Sequence, residues 1–235
     1  MKILGLIPAR GNSKGLKGKN LYPINGRPLI YYTIMASLNS KYITDTYVSS
    51  DSEKILKVSS SFNAKTIKRP AEFARDSSSS QSVVKDALSQ LEKIGKEYDI
   101  VVLLQPTSPL RNSNDIDNAI NTMFDNDCTN VISVYNMGYK PLKSYYLNKD
   151  GFLKGVFNDE APNMRRQDLP TAYMPNGAIY IISTEVFLKE GKLITNKSLP
   201  YVMDEEKSFD VDTIQDIKKI EKVLAMENNS IYDNK

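Results

Sequence analysis

Short apolar runs alternate along this chain with stretches whose apolar positions recur every three to four residues. Strands are predicted at 3–8, 46–49, 65–67, 100–104, 130–135 and 178–182, where strand-length segments stand between turn-forming or polar residues. Helices are predicted at 28–38, 52–62, 82–94, 115–124 and 213–226. The last carries Ile214, Ile217, Ile220, Val223 and Leu224 on one helical stripe. Strands that alternate with helices predict an α/β fold built on a mainly parallel, helix-covered sheet.

The stretch 135–173 breaks this rhythm. It is rich in Tyr, Lys, Pro and Gly, and residues 143–147 and 152–157 read as a hairpin around Lys149-Asp150-Gly151. Such an excursion from an α/β domain serves as a lid or an oligomerisation arm. The tail after Met226 is polar and is expected to fray. The serine run 77–80 suits a helix start, where Ser caps well.

Composition narrows the chemistry. The 235 residues fit one large α/β domain, here 1–235 with 135–173 inserted. A net charge of +3 is too small to point to nucleic acid, and the cations cluster near candidate phosphate sites instead of along a helix face. Cys128 is the single cysteine, so no intrachain disulfide or cysteine-based metal site forms. The first apolar run is interrupted too soon for a signal peptide, and no stretch has the length to span a bilayer, so the expected location is the cytoplasm. There is no histidine, which removes Ser-His-Asp hydrolysis and imidazole-bound zinc. Carboxylates, Lys, Arg, hydroxyls, amides or a hard metal ion must do any chemistry.

Five clusters carry candidate chemistry. The first strand empties into Ala9-Arg10-Gly11-Asn12-Ser13-Lys14-Gly15-Leu16-Lys17-Gly18-Lys19-Asn20. Glycines let a backbone turn toward a ligand, and closely spaced amides and cations suit a polyphosphate. Most Gly/Lys stretches are flexible surface loops, but ligands of open α/β sheets bind at the carboxyl ends of strands, where this one falls. It is not a Walker A loop, because Asn20 follows Gly18-Lys19 and Ser13 stands where the first Gly belongs; the G-x-G-x-x-G fingerprint is absent too. The second cluster, Gln105-Pro106-Thr107-Ser108-Pro109-Leu110-Arg111, ends a buried strand and reads equally as a capping turn or a ligand site. The third, Met164-Arg165-Arg166-Gln167-Asp168, lies on the excursion, and the fourth, Asn176-Gly177-Ala178-Ile179-Tyr180, opens a strand. In the fifth, Asp210-Val211-Asp212, side chains at i and i+2 of an extended segment share a face and can converge on one hard cation; Asp212 can equally cap the helix that follows.

Together with Arg69-Pro70-Ala71-Glu72, these clusters in this order resemble the acylneuraminate cytidylyltransferase family over nearly the whole chain. Asn12 stands where many members have Gly, a change that matters only if the backbone there needs positive φ. The resemblance implies a Rossmann-like nucleotidyltransferase fold that joins CMP from CTP to the anomeric hydroxyl of a nonulosonic (sialic-type) acid. It implies that Arg10, Lys14 and Lys19 hold the phosphates with help from Ser13 and Asn20. Ala9, Arg10 and Arg69 would surround the cytosine, and a serine of the 77–80 run, Ser80, would reach the ribose. Gln105, Lys143, Arg165, Gln167 and Tyr180 would face the sugar acid with Asn176 nearby, and Asp210 and Asp212 would hold Mg²⁺ or Mn²⁺. Arg10, Lys14, Lys19, Asp210 and Asp212 are then the catalytic set. The 135–173 excursion matches an arm exchanged in a homodimer, with no nucleic acid or membrane partner. A Kdo-type cytidylyltransferase is disfavoured, because its opening resembles Ser-x-Arg-Leu-Pro and not the Ser-Lys-Gly-Leu found here. A non-catalytic sugar-nucleotide-binding protein is disfavoured by the presence of Arg10, Lys19, Asp210 and Asp212.

Overall fold

The apolar runs become the centre of a seven-stranded sheet. The computed structural model describes residues 1–13, 15–75 and 78–232; Lys14 and Ser77 lie outside the described residues. In chain order the elements are β1 (Ile3–Pro8), β2 (Pro23–Ile24), β3 (Arg27–Pro28), α1 (Leu29–Leu38), β4 (Asp45–Ser50), α2 (Glu53–Ser61), β5 (Lys65–Lys68) and α3 (Ser80–Glu92). They continue with β6 (Ile100–Leu103), α4 (Ser113–Asp125), β7 (Asn130–Gly138), β8 (Tyr145–Leu147), β9 (Leu153–Gly155), β10 (Ala172–Ser183), α5 (Thr184–Glu190), β11 (Leu199–Val202) and α6 (Ile214–Tyr232).

The sheet order is β11-β7-β10-β6-β1-β4-β5. Neighbouring pairs are parallel except that β10 runs against both β6 and β7. Alternation along each strand divides the core between two faces. Ile3 and Ile7 of β1 and Val102 of β6 pack with Ile30 and Ile34 of α1, Ile55 of α2, and Ile116 and Ile120 of α4. Leu4, Leu6, Val101 and Leu103 face the other way, onto Val84, Ala87 and Leu91 of α3 and Phe187 of α5. A third cluster seats Ile217 and Ile220 of α6 on Ile24, Leu29 and Leu110, which clamps the segment before α6 across the first loop. Among the described residues no helix is long and apolar enough to cross a membrane.

Several elements differ from the sequence-based expectation. The β2–β3 hairpin turns on Asn25-Gly26, both at positive φ, a two-residue hairpin signal that the helical and strand periodicities do not register. β11 also lies outside the expected set. It is an edge strand of four residues that contains Pro200, and an edge is where a sheet tolerates proline. α5 is a short helix of seven residues, about two turns, after β10. α6 runs on to Tyr232, past the expected end at Met226. β7 and β10 extend well into the predicted excursion, pairing as far as Ala172 with Gly138, so the irregular part is narrower than 135–173. Within it, β8 and β9 form the expected hairpin.

Candidate active site

The carboxyl ends of β1 and β6 open into a cleft of about 420 Å³. Pro8, Arg10, Ser13, Gly15, Lys19 and Asn20 of the first loop form one wall. Gln105, Pro106 and Thr107 beyond β6, with Asp210 and Asp212, form another. Arg69, Phe73, Arg75 and Ser78, between β5 and α3, close the third side with Ser80 and Val83 of the first turn of α3.

Local chemistry fixes each wall. Gly18, at φ 69°, leads into a 3-10 turn over Lys19–Leu21 that turns Lys19 toward the cleft. Asn20 is buried and donates its amide to Arg10 O at 2.9 Å, which ties the two ends of the loop together. The Gly11 amide donates to Asp51 Oδ1 at 2.8 Å. Asn12 is not among the described residues with positive φ, so the Asn in place of Gly carries no backbone strain. Gly15 packs against the Asp212 segment; a Cβ there would stand 2.7 Å from the Asp212 carbonyl oxygen. Arg69, 4% exposed, donates Nε to Ser49 Oγ at 3.1 Å and Nη2 to Ser49 O. Burial pushes its guanidinium below the ordinary value, and Arg10 adds to that against the opposing charges of Asp51 and Asp86. Arg10, Lys19, Arg69 and Arg75 all border the cleft, and cations that line one cleft favour an anionic ligand.

The carboxylates stand opposite. Lys19 Nζ donates to Val211 O at 2.6 Å and Asp212 Oδ1 at 3.0 Å. Asp210 meets solvent in the cleft, but the protein atoms around it remove part of its hydration and push its carboxyl up. Asp212 adds to the rise, whereas the Thr107 hydroxyl and Lys19 oppose it. Asp212 does not cap α6. Thr213 N donates to Asp216 Oδ2 at 2.8 Å and Asp216 N to Thr213 Oγ1 at 3.4 Å, a reciprocal capping box that leaves the Asp212 carboxylate to the cleft. Among the described residues no three acidic, Cys or His side chains gather into a cage. Two carboxylates on one wall are the donor set of an ion completed by water and substrate phosphate, which fits Mg²⁺.

A second recess of about 330 Å³ shares Asp210 with the cleft and is bordered by Tyr135, Asn176, Gly177 and Tyr180. Burial, with Asp210 adding to it, raises the Tyr180 hydroxyl above its ordinary value. The recess lies where the β7–β10 register shifts between Pro175 and Tyr180, and Asn176 and Gly177 of that interruption border it.

Of the candidates read from sequence, Arg10, Ser13, Lys19, Asn20, Arg69, Ser80, Gln105, Asp210 and Asp212 meet in the cleft, and Asn176 and Tyr180 border the adjoining recess. Ala9 is buried beneath, its amide bonded to Ser49 O. Lys143, Arg165 and Gln167 do not border either cavity. Lys143 Nζ donates to Pro162 O at 3.3 Å, and the exposed Arg165 pairs with Asp168 at 2.9 Å within its own turn. Gln167 is exposed in the same turn. Arg75, Phe73 and Thr107 are cleft residues that the sequence reading did not single out. Thr107 sat inside a recognised cluster, and Arg75 immediately precedes the Asp-Ser run between β5 and α3.

A family model described as cytidylyltransferase matches residues 4–235. An N-acylneuraminate cytidylyltransferase of Streptococcus agalactiae serotype V is 36% identical over 218 residues, which is 92% of this chain and 52% of that protein. The chain thus spans about half the length of that relative. A pseudaminic acid cytidylyltransferase of Campylobacter jejuni is 32% identical over 99% of this chain and 100% of its own. Among solved structures, a CMP:2-keto-3-deoxy-manno-octonic acid synthetase complexed with CTP superposes with a TM-score of 0.73 at 18% identity. The match covers 97% of this chain and 100% of that one, a likeness of fold.

Proposed function

We propose that this chain, which belongs to the cytidylyltransferase family, transfers CMP from CTP to the anomeric hydroxyl of a nonulosonic acid. The observation that carries this reading is the gathering of Arg10, Lys19 and Arg69 with Asp210 and Asp212 around one cleft at the sheet's carboxyl edge, where Lys19 pairs with Asp212. The sugar oxygen bonds to the α-phosphorus as its hydroxyl proton passes to solvent water, the bond from that phosphorus to the bridging oxygen breaks, and pyrophosphate leaves. Arg10 and Lys19 gather the phosphates and take up the charge that grows on the leaving group. Arg69, its guanidinium anchored to Ser49, walls the nucleotide end. Gln105 and Tyr180 orient the sugar acid at the junction of cleft and recess, which makes the attack effectively intramolecular. Asp210 and Asp212 would hold Mg²⁺, which supplies charge neutralisation at the transferred phosphate. A reaction that draws on CTP belongs in the cytoplasm.

The arm adds a homodimer to this reading. Tyr146, Leu147, Phe152, Leu153, Val156 and Phe157 are each more than half exposed on or beside the β8–β9 hairpin. A two-stranded hairpin is marginal in water, and a contiguous apolar surface of this kind marks an interface. A second copy covering it would bring Lys143, Arg165 and Gln167 of one chain toward the recess of the other. Sedimentation should give a dimer, and Phe152→Asp with Leu153→Asp should give a monomer; an active wild-type monomer removes this part of the reading.

Pyrophosphate release with CTP, Mg²⁺ and a panel of sialic, legionaminic, pseudaminic and Kdo-type acids tests the activity. Release with a nonulosonic acid and not with Kdo is expected. Release with none of them overturns the assignment.

A further inference from the structure

Asn176 borders the sugar side of the site, yet its amide is already committed inside the protein. The residue is 7% exposed. Its Oδ1 accepts from Ser133 Oγ at 2.6 Å and from Ala178 N at 3.2 Å. Its Nδ2 donates to Ser208 Oγ at 2.9 Å and to Met203 Sδ at 3.2 Å. A carboxamide has two acceptor sites and two N–H groups, and these four partners use them all.

The partners lie on both sides of the cleft. Ser208 Oγ donates its own hydrogen bond to Asp204 O at 2.8 Å, which closes the turn that delivers Asp210 two residues later. On the other side, Asn176 O accepts from Ser108 Oγ at 3.4 Å. Gly177 follows at φ +74°, and a Cβ there would stand 2.9 Å from Gln105 Oε1, so the backbone itself supports the Gln105 side chain.

We infer that Asn176 is a positioning residue that fixes Asp210, through Ser208, relative to Gln105, through Gly177 and Ser108. It makes no contact with the sugar acid. The inference rests on the cytidylyl-transfer reading for its kinetic consequence. A carboxylate displaced by about 1 Å from productive geometry costs on the order of 100-fold in rate without loosening a sugar held by other groups.

The test uses the full chain with Asn176→Ala, Ser208→Ala, the double variant and Ser208→Thr. Asn176→Ala and Ser208→Ala should each lower kcat at least about tenfold, with the KM for sugar acid within about threefold of wild type. Both should raise the Mg²⁺ concentration that gives half-maximal rate. The double variant should be no worse than the poorer single one, because both remove the same bond. Ser208→Thr, which keeps the hydroxyl, should recover most of the turnover. A sugar-acid KM raised more than about tenfold in Asn176→Ala at unchanged kcat, with Ser208→Ala unaffected, makes Asn176 a direct contact and overturns the inference; additive losses do the same. If Asn176→Ala does not fold, the contrast between Ser208→Ala and Ser208→Thr decides. If wild type transfers to no sugar acid, the functional reading fails separately. CTP calorimetry with and without Mg²⁺ then still reads the positioning role, because both alanine variants should lose the metal-dependent gain in CTP affinity and retention of that gain overturns it.

Discussion

Replacing Asp212 by Asn separates holding a metal from holding a helix. The α6 cap belongs to Thr213 and Asp216, so the substitution leaves it intact. What it removes from the fold is the ion pair with Lys19, whose side chain is 13% exposed beside an Asp212 that is 72% exposed. An ion pair open to water on one side contributes about 0.2–1 kcal/mol. Lys19 also keeps its bond to Val211 O, so it stays in place. For a domain of this size 1 kcal/mol moves Tm by about 2–4 °C, so Asp212→Asn should melt within about 4 °C of wild type. Turnover should fall on the order of 100-fold or more at saturating CTP and Mg²⁺, as when a charge-stabilising group is deleted from an active site. Thr213→Ala gives the reverse pattern: a lost cap costing about 1 kcal/mol, with turnover nearly unchanged. Melting curves and pyrophosphate release on the two variants form the assay. Asp212→Asn turning over within about threefold of wild type would falsify the metal assignment.

Arg111 is fully buried, and its Nη2 donates to Thr33 Oγ1 at 2.7 Å and to Gln105 O at 3.4 Å while Nε and Nη1 have no partner; burial pushes it down to about 10. Arg111→Met should leave Tm unchanged or higher, because an under-paired buried charge is removed, and should lower kcat/KM by loosening Gln105; a fall in Tm of more than about 5 °C contradicts this. Burial opposes ionisation of Asp45, but hydrogen bonds from Lys65 and Tyr98 outweigh it and hold the carboxyl below its ordinary 3.8. That stabilisation is present above the unfolded value and is lost as pH falls through the lower folded one, so Asp45→Asn should flatten the acid limb of a Tm-against-pH curve below about pH 4; an unchanged limb refutes it. Gly15→Ala should weaken CTP binding measured by calorimetry, because its Cβ forces the first loop off the Asp212 carbonyl; unaltered affinity would show that the loop tolerates the shift.

The central sheet was legible because its strands are buried on both faces and therefore read as unbroken apolar segments, as in β1 and β6. β11 escaped because an edge strand needs only one apolar neighbour, and Pro200 reads locally as a break. The direction of β10 was not in its residues either. Ile179 and Ile181 face one layer and Tyr180 and Ile182 the other whichever way the strand runs. Only the connection through the 139–171 excursion, which returns the chain beside β7, sets it antiparallel.

Side-chain commitments were less legible than positions. The i, i+2 spacing placed Asp210 and Asp212 on one wall, but whether Asp212 was needed as a cap depended on Thr213 and Asp216 closing a box of their own, and these three residues could pair in more than one way. Asn176 shows the same limit from the other side. A motif puts it at the site, while its role follows from Ser133, Met203 and Ser208, up to 43 residues away in the chain. Lys143, Arg165 and Gln167 border neither the cleft nor the recess, and among the described residues the contacts of Lys143 and Arg165 lie with Pro162 and Asp168 of the excursion itself. A site residue is thus read from sequence most reliably where the backbone of its own loop aims it, as in the segment from Arg10 to Asn20. It is read least reliably where a partner distant in the chain must hold it.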